Sequence, residues 1–186
     1  LTTGQWFWRR ISVMNRALEQ VRQHAEMMGP DQLNRWALLL KVGKPGVVAE
    51  LTREEQRTVK ALRKRIKPEI KQCYANSQRA FFRSALNNVN DVQYCEGYYI
   101  RHDHPVIQNH AWLTINGKVV DLTQPSAEFD YFGVEIPWEL VQTYMLERET
   151  HGPLLDDWET GYKYTAMILD PDGLGRIVDA FSRVSV

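Results

Sequence analysis

The sequence predicts an α+β fold, in which helices come first and an antiparallel sheet follows, with one helix leading into it. Three observations carry this expectation. The first 67 residues place apolar side chains at helical spacing, broken only by Gly and Pro. From about Val92 the pattern becomes rich in β-forming residues. Asn116-Gly117 then sits between two β-forming runs, and this dipeptide favours the primed turns that join antiparallel strands.

The elements follow in order. Residues 5–27 carry Ile11, Met14, Leu18, Val21 and Ala25 along one helical stripe. Gly29-Pro30 ends that helix, and Pro30 suits the first turn of the next, which holds Leu33, Trp36, Ala37 and Leu40. Gly43 to Gly46 reads as a turn or short linker. Thr52 and Glu55 have capping-box spacing and open a third helix to about Ile66. Pro68 separates these helices from one running from about Lys71 to Leu86. Strands are expected over 92–101, 109–115, 118–122 and 131–136, and a helix from Pro137 to about Met145. The last forty residues carry little pattern. The resulting division is a helical extension or cap over 1–67 and a second unit over 68–186.

Composition bounds the class. Of the 186 residues, 44% are apolar and 25% charged, ordinary values for a water-soluble globular protein. No apolar run reaches the roughly 18 to 20 residues of a membrane-spanning helix, so no membrane partner is expected. The first ten residues lack the basic-then-apolar pattern of a signal peptide, although the missing initiator Met leaves open a trimmed leader. Two cysteines, Cys73 and Cys95, are too few for a disulfide framework and, as free thiols, point to a cytoplasmic home. The net charge is zero, yet residues 1–120 carry 19 Lys+Arg against 10 Asp+Glu while 121–186 carry 4 against 13. Such a split can steer a charged partner, or the two regions can simply pack together. The basic run from Arg63 to Lys67 ends a helix, where the dipole favours cations, so a solvated face is expected there and no nucleic-acid partner.

The chemistry lies in a cysteine, a histidine and an aspartate. Cys73 falls in the first turn of its expected helix, where unpaired amides and the dipole favour a thiolate. Taken alone it reads more readily as a small buried hydrophobe. The hairpin adds to it. With a two-residue turn at Asn116-Gly117, paired positions sum to 233, so His110 faces Thr123 and Asp121 faces Trp112. His110 and Asp121 then share one face as diagonal neighbours, about 7 Å apart at Cβ. A one-residue slip would put them on opposite faces. A thiol, an imidazole that takes its proton and a carboxylate that orients the imidazole are the requirements of covalent acyl chemistry.

Cys73-Tyr-Ala-Asn76 on a helix, Tyr94-Cys-Glu-Gly-Tyr98, His110-Ala-Trp112 and Val120-Asp-Leu-Thr123 together resemble the transglutaminase-like branch of the papain-like cysteine protease superfamily. The resemblance spans about residues 68–135. It implies a core with the nucleophile helix packed on an antiparallel sheet, with Cys73 as nucleophile, His110 as general base and acid, and Asp121 as orienting carboxylate. It also suggests that Gly133 shapes a loop near the site. The sequence departs from the family at Lys71-Gln72, where many relatives have small residues, and it has no calcium-loop pattern. The implied activity is a cysteine-dependent hydrolase or acyltransferase acting on amide bonds of a protein or peptide: a peptidase, amidase or deamidase. The alternatives are a transamidating protein-glutamine acyltransferase and a non-catalytic protein-binding module.

Around that core, the Cys73 amide is the natural oxyanion donor, with Gln72, Asn76 or Gln78 as side-chain candidates and Asn76 the more structural of them. Tyr94, Tyr98 and Trp112 are candidates to line a substrate groove, or alternatively core aromatics. Cys95 falls on the face opposite Tyr94 and is expected to be inert. Zinc is the competing reading for Cys73, Cys95, His102, His104 and His110, but no Cys-x-x-Cys pair is present, so no metal and no cofactor are expected. His24 and His151 have no evident partner in the sequence.

Overall fold

The computed structural model describes residues 15–28, 35–87, 89 and 91–169. It is a mixed α+β structure whose sheet, among the described residues, has five antiparallel strands. The elements are α1 (Arg16–Met28), α2 (Arg35–Val42), β1 (Lys44–Pro45), α3 (Arg53–Ile66), α4 (Cys73–Leu86), β2 (Val92–Arg101), β3 (Ile107–Ile115), β4 (Lys118–Val120), β5 (Phe129–Ile136), α5 (Trp138–Arg148) and α6 (Lys163–Leu169). Short 3-10 turns occupy Ser126–Glu128 and Trp158–Thr160. No helix among the described residues is long and apolar enough to cross a membrane.

The helices form for local reasons. α3 opens on the expected capping box: Thr52 Oγ1 accepts from the Glu55 amide at 3.2 Å, and a Glu55 carboxylate oxygen accepts from the Thr52 amide at 2.7 Å. Its Glu55 side chain also takes hydrogen bonds from Asn116 and Lys118, both at 2.9 Å, so the start of α3 fastens the tip of the β3–β4 hairpin. Of the predicted stripe α1 buries Val21 and half-buries Leu18 and Ala25, with Ala17 buried beside them, whereas Ile11 and Met14 lie outside the described residues, as does Pro30.

Strand order is β1-β5-β2-β3-β4. The hairpin register is the expected one: Leu113 pairs with Val120, Thr114 with Val119 and Ile115 with Lys118. Its turn has φ of 50° at Asn116 and 74° at Gly117, the left-handed pair that primed turns require. β2 runs over the expected 92–101, and β3 and β5 each begin two residues earlier than expected.

Three sequence expectations are corrected here. Gly43–Gly46 is not a free linker, because Lys44 and Pro45 pair with Gly133 and Phe132 as an edge strand, a place where Pro loses no ladder bond. Gly133 is not in a loop but in β5, opposite Gly97. The strand expected to end at Leu122 stops at Val120, because Asp121 Oδ1 accepts from the Thr123 and Gln124 amides at 2.7 and 2.9 Å and turns the chain out of the ladder.

The sheet is curled, so that its outer strands approach each other. Gly46 donates to the Tyr131 carbonyl at 2.8 Å, and the next carbonyl, that of Val47, accepts from Val119 of β4 at 2.8 Å. The chain leaving β1 thereby bridges the two edges of the sheet. Curling requires β2 and β5 to come close at Gly97 and Gly133. A Cβ at Gly97 would lie 2.3 Å from the Phe132 carbonyl oxygen, and one at Gly133 would lie 2.3 Å from that of Glu96.

Side-chain alternation then makes two cores. Tyr94, Tyr98, Leu113, Phe132 and Ile136 pack into the larger one, which also takes Ala17, Val21 and Leu39 from α1 and α2, Leu62 and Ile66 from α3, and Ala80 and Phe81 from α4. The helices expected as an extension or cap thus share the core of the sheet. The other face of the sheet holds Cys95, Tyr99, Trp112, Val119, Phe129 and Tyr131. Each large apolar side chain buried in this way contributes about 1.5–3 kcal/mol.

Because the atoms facing a Gly97 Cβ belong to the backbone, Gly97→Ala is expected to destabilise the fold by about 1–3 kcal/mol. Thermal unfolding followed by circular dichroism should show a melting temperature lowered by about 2–4 °C for each kcal/mol. An unchanged melting temperature would show that β2 and β5 can part freely and that the curl does not depend on their contact.

Candidate active site

Cys73 is the first residue of α4. Lys71 takes φ 65°, a left-handed conformation that ends the preceding turn, and Gln72 at the N-cap gives no side-chain hydrogen bond to the helix. The first amides of a helix have no partner within it. This end of α4 therefore presents donors, and the positive end of the helix dipole, beside a half-buried thiol.

Two contacts set where that end lies. β4 pairs only with Leu113–Ile115, which leaves the outer edge of β3 open from Ile107 to Trp112. α4 occupies this edge: Ser77 Oγ donates to the Ala111 carbonyl at 3.2 Å, and Asn76 Nδ2 donates to Thr123 Oγ1 at 3.1 Å. Cys73 is thereby held next to His110, whose imidazole feels its sulfur through both hydrogen bonding and charge.

His110 Nε2 lies 2.6 Å from Asp121 Oδ2, and both side chains are buried. With Nε2 committed to the carboxylate, Nδ1 is the nitrogen left for the thiol. The carboxylate is fully partnered. Oδ2 also accepts from Tyr131 Oη at 2.9 Å, while Oδ1 takes the Thr123 and Gln124 amides. The Asp121 carbonyl accepts from Arg63 Nη2 at 2.9 Å, so one member of the basic run at the end of α3 braces this turn rather than serving only as a solvated charge. Tyr99 stacks on His110 with ring centroids 4.1 Å apart, covering one face of the imidazole.

The electrostatics follow from these contacts. Burial pulls the His110 imidazole down, but hydrogen bonds to Asp121 and Cys73 and their charges overcome it and hold the ring up to about 9. Burial would raise the Asp121 carboxyl, yet the hydrogen bond and charge of His110, with the Gln124 and Thr123 amides, keep it below its ordinary range. Burial pushes the Cys95 thiol far up. That sulfur sits on the face opposite Tyr94 and is 3% exposed.

The remaining sequence candidates fall as follows. Gln72 stands at the mouth of α4 without a cap bond and exposed. Asn76 is fully buried with its amide consumed: it brackets Glu69 by accepting from its N–H at 3.0 Å and donating to its carbonyl at 2.7 Å. Gln78 is likewise engaged, with the Tyr94 hydroxyl and with both backbone groups of Gly152. Tyr94, Tyr98 and Trp112 are 0, 5 and 2% exposed, so they are core aromatics and not the exposed wall of a groove. Both faces of the sheet are covered, which leaves period-two aromatics no solvent to face. His24 stacks on Trp36, and Trp36 on Tyr98. Among the described residues no three His, Cys, Asp or Glu side chains gather as metal ligands.

Three groups at or near the site were not singled out from the sequence. Tyr131 positions Asp121, and Tyr99 covers His110. Glu96 is a fully buried carboxylate that accepts from the Tyr94 hydroxyl at 2.5 Å and from the amides of Leu154 and Leu155. Burial raises it, against those amides and the hydroxyl, to about 7. It ties the segment after α5 to the sheet. The motif Tyr94-Cys-Glu-Gly-Tyr98 offered a signal for it, a carboxylate at the core-facing period of a strand.

The pair has a definite linkage sign. The raised His110 contributes stability that is complete below its unfolded value of 6.5 and is lost as pH rises through about 9. The lowered Asp121 contributes stability that is complete above its unfolded value of 3.8 and is lost as pH falls through its lower folded value. The stability difference between wild type and His110→Gln, measured by urea unfolding, is therefore expected to be greatest near pH 5 to 6 and to shrink toward pH 9 to 10. A difference independent of pH would mean that the two groups do not form an ion pair. No family model, curated protein or solved structure matches this chain.

Proposed function

We propose that this chain is a cysteine-dependent acyl-transfer enzyme of the transglutaminase-like, papain-like type that cleaves amide bonds of a protein or peptide. The observation that supports it most is the buried His110–Asp121 contact of 2.6 Å, aimed at a thiol on the first turn of a helix. Two free thiols also suit a reducing compartment such as the cytoplasm.

The chemistry would run as follows. With His110 held protonated up to about 9, the Cys73 sulfur attacks the amide carbonyl carbon as the thiolate paired with that ring, and an S–C bond forms. The developing oxyanion meets the Cys73 amide, one of the unpartnered donors at the start of α4. His110 returns its proton to the nitrogen as the C–N bond breaks, and the amine leaves. Water then gives a proton to His110 and attacks the thioester. The C–S bond breaks, and the Cys73 thiolate is left beside the reprotonated His110. The balance is amide plus water to acid plus amine. Asp121 keeps Nε2–H directed at itself throughout, so Nδ1 always faces the sulfur.

Iodoacetamide at neutral pH should label Cys73 much faster than Cys95, because Cys95 is buried with its thiol pushed far up. Cys73→Ala should abolish turnover while leaving the melting temperature near that of wild type. Asp121→Asn should lower kcat by about 10²–10⁴-fold, since an amide can present the wrong hydrogen-bonding partner to the ring, while Cys73 stays alkylatable. Full activity in either variant would remove the triad.

The activity itself is read by intact-mass analysis after incubation with candidate proteins and an amine donor. Chain cleavage, a gain of about 1 Da for deamidation and addition of the amine are distinct outcomes. The first two support hydrolysis and the third transamidation. No mass change, together with equal slow labelling of both cysteines, would favour a binding module.

A further inference from the structure

A pocket of about 210 Å³ is lined by Tyr99, the ring that stacks on His110, and by Arg101, His104, Gln108 and Gln124. Its place is fixed by the sheet. Tyr99, Arg101 and Gln108 are on the same side of β2 and β3 as His110, since Gly97 pairs with His110 and Tyr99 with Gln108. The Tyr99 ring is thus shared, with His110 stacked on it and the pocket built against it. Gln124 belongs to the turn closed by Asp121.

The pocket's polar groups are turned to present donors. Gln108 Oε1 already accepts from the Tyr99 hydroxyl at 3.1 Å, which leaves its NH₂. His104 Nδ1 accepts from the Val106 amide at 3.3 Å, which makes Nε2 the ring nitrogen that carries hydrogen. Arg101 Nε lies 2.9 and 3.6 Å from carboxylate oxygens of Asp103 and Glu128. Arg101 is 52% exposed and those two carboxylates 68 and 51%, so solvent screens the pairs on both sides. The turn that carries these groups is pinned by Arg16, whose guanidinium donates to the carbonyls of Arg101, His102 and His104.

We propose that this pocket is the leaving-group subsite of the Cys73 centre, and that it takes a carboxylate carried by the amine half of the substrate. The inference rests on the acyl-transfer reading above. His110 protonates the departing nitrogen, so that half of the substrate lies on the His110 side of the sulfur, toward Tyr99. A guanidinium, an amide NH₂ and an imidazole N–H converging on one small space suit an acceptor bearing charge. The amide cleaved is then one whose nitrogen belongs to an acidic residue or to a chain-terminal residue with a free carboxylate.

Two alkylating probes test it, N-iodoacetylglutamate and its neutral counterpart N-iodoacetylglutamine amide. In each, the Cys73 thiolate displaces iodide from the CH₂ carbon while His110 keeps its proton. At about 0.15 M salt the acidic probe should label Cys73 about tenfold faster than the neutral one, the size of a charge-assisted hydrogen bond. Arg101→Gln and the charge-neutral change Gln108→Leu should each bring that ratio toward one. Equal rates in the wild type, or a ratio that survives both substitutions, would overturn the proposal. If the neutral probe labels Cys73 no faster than Cys95, it is the acyl-transfer reading that fails. Binding is read separately by titrating N-acetylglutamate onto the Cys73→Ala protein. The Gln108 and Gln124 side-chain amide resonances should shift saturably and lose that response in Arg101→Gln, and unmoved resonances would also overturn the proposal.

Discussion

The Asp121 carboxylate is the constraint on which the rest of the structure turns. A buried charge is tolerated only where hydrogen bonds and an opposite charge replace water, and the uncompensated cost is several kcal/mol. Here each oxygen has two partners: His110 and Tyr131 on one, the Thr123 and Gln124 amides on the other. Meeting those four demands dictates features far from the carboxylate. The chain must leave the ladder at Val120, the hairpin must keep its register so that His110 shares the face, and β5 must curl round to bring Tyr131 within reach.

The last demand is the most far-reaching. β5 and β4 are separated in the sheet by β2 and β3, and three strand spacings in a flat sheet amount to about 14 Å. A hydroxyl-to-carboxylate contact of 2.9 Å across that gap is possible only because the sheet rolls up. The roll depends on the paired glycines 97 and 133, whose missing side chains let neighbouring backbones touch, and it is held by the Gly46–Val47 segment lying across its open side. Stability and the candidate chemistry thus draw on the same glycine contact.

What could be read from the sequence divides along the same line. Local rules place the capping box at Thr52 and Glu55, the primed turn at Asn116-Gly117 and, through that turn's length, the shared face of His110 and Asp121. Each of these is decided by residues a few positions apart. The contribution of β1 was hidden because two residues of a Gly-Lys-Pro-Gly segment make a strand only when another edge is waiting for them. Tyr131 was hidden because its partner is ten residues away in sequence but three strands away in the sheet. Tyr94, Tyr98 and Trp112 show the reverse case. Their alternation was plain, yet whether a strand's aromatic side chains face substrate or core depends on what covers each face, and here both are covered.

The same geometry separates the rigid from the reactive. His110 belongs to β3 and Asp121 to the turn after β4; both are buried, and every oxygen of the Asp121 carboxylate is hydrogen-bonded. Cys73 belongs to a helix, and its distance from the ring is set by Ser77 on the Ala111 carbonyl and Asn76 on Thr123. These bonds lie three and four residues along α4 from the sulfur, one helical turn. Asn76 spends its remaining capacity on Glu69, so it also fixes the chain that enters the helix. Asn76, the more structural of the side-chain candidates in the sequence, is thus the group that sets where the Cys73 thiol stands. On the acyl-transfer reading proposed above, stabilisation of a developing negative charge would fall to the backbone of the helix's first turn, whose donors cannot rotate away.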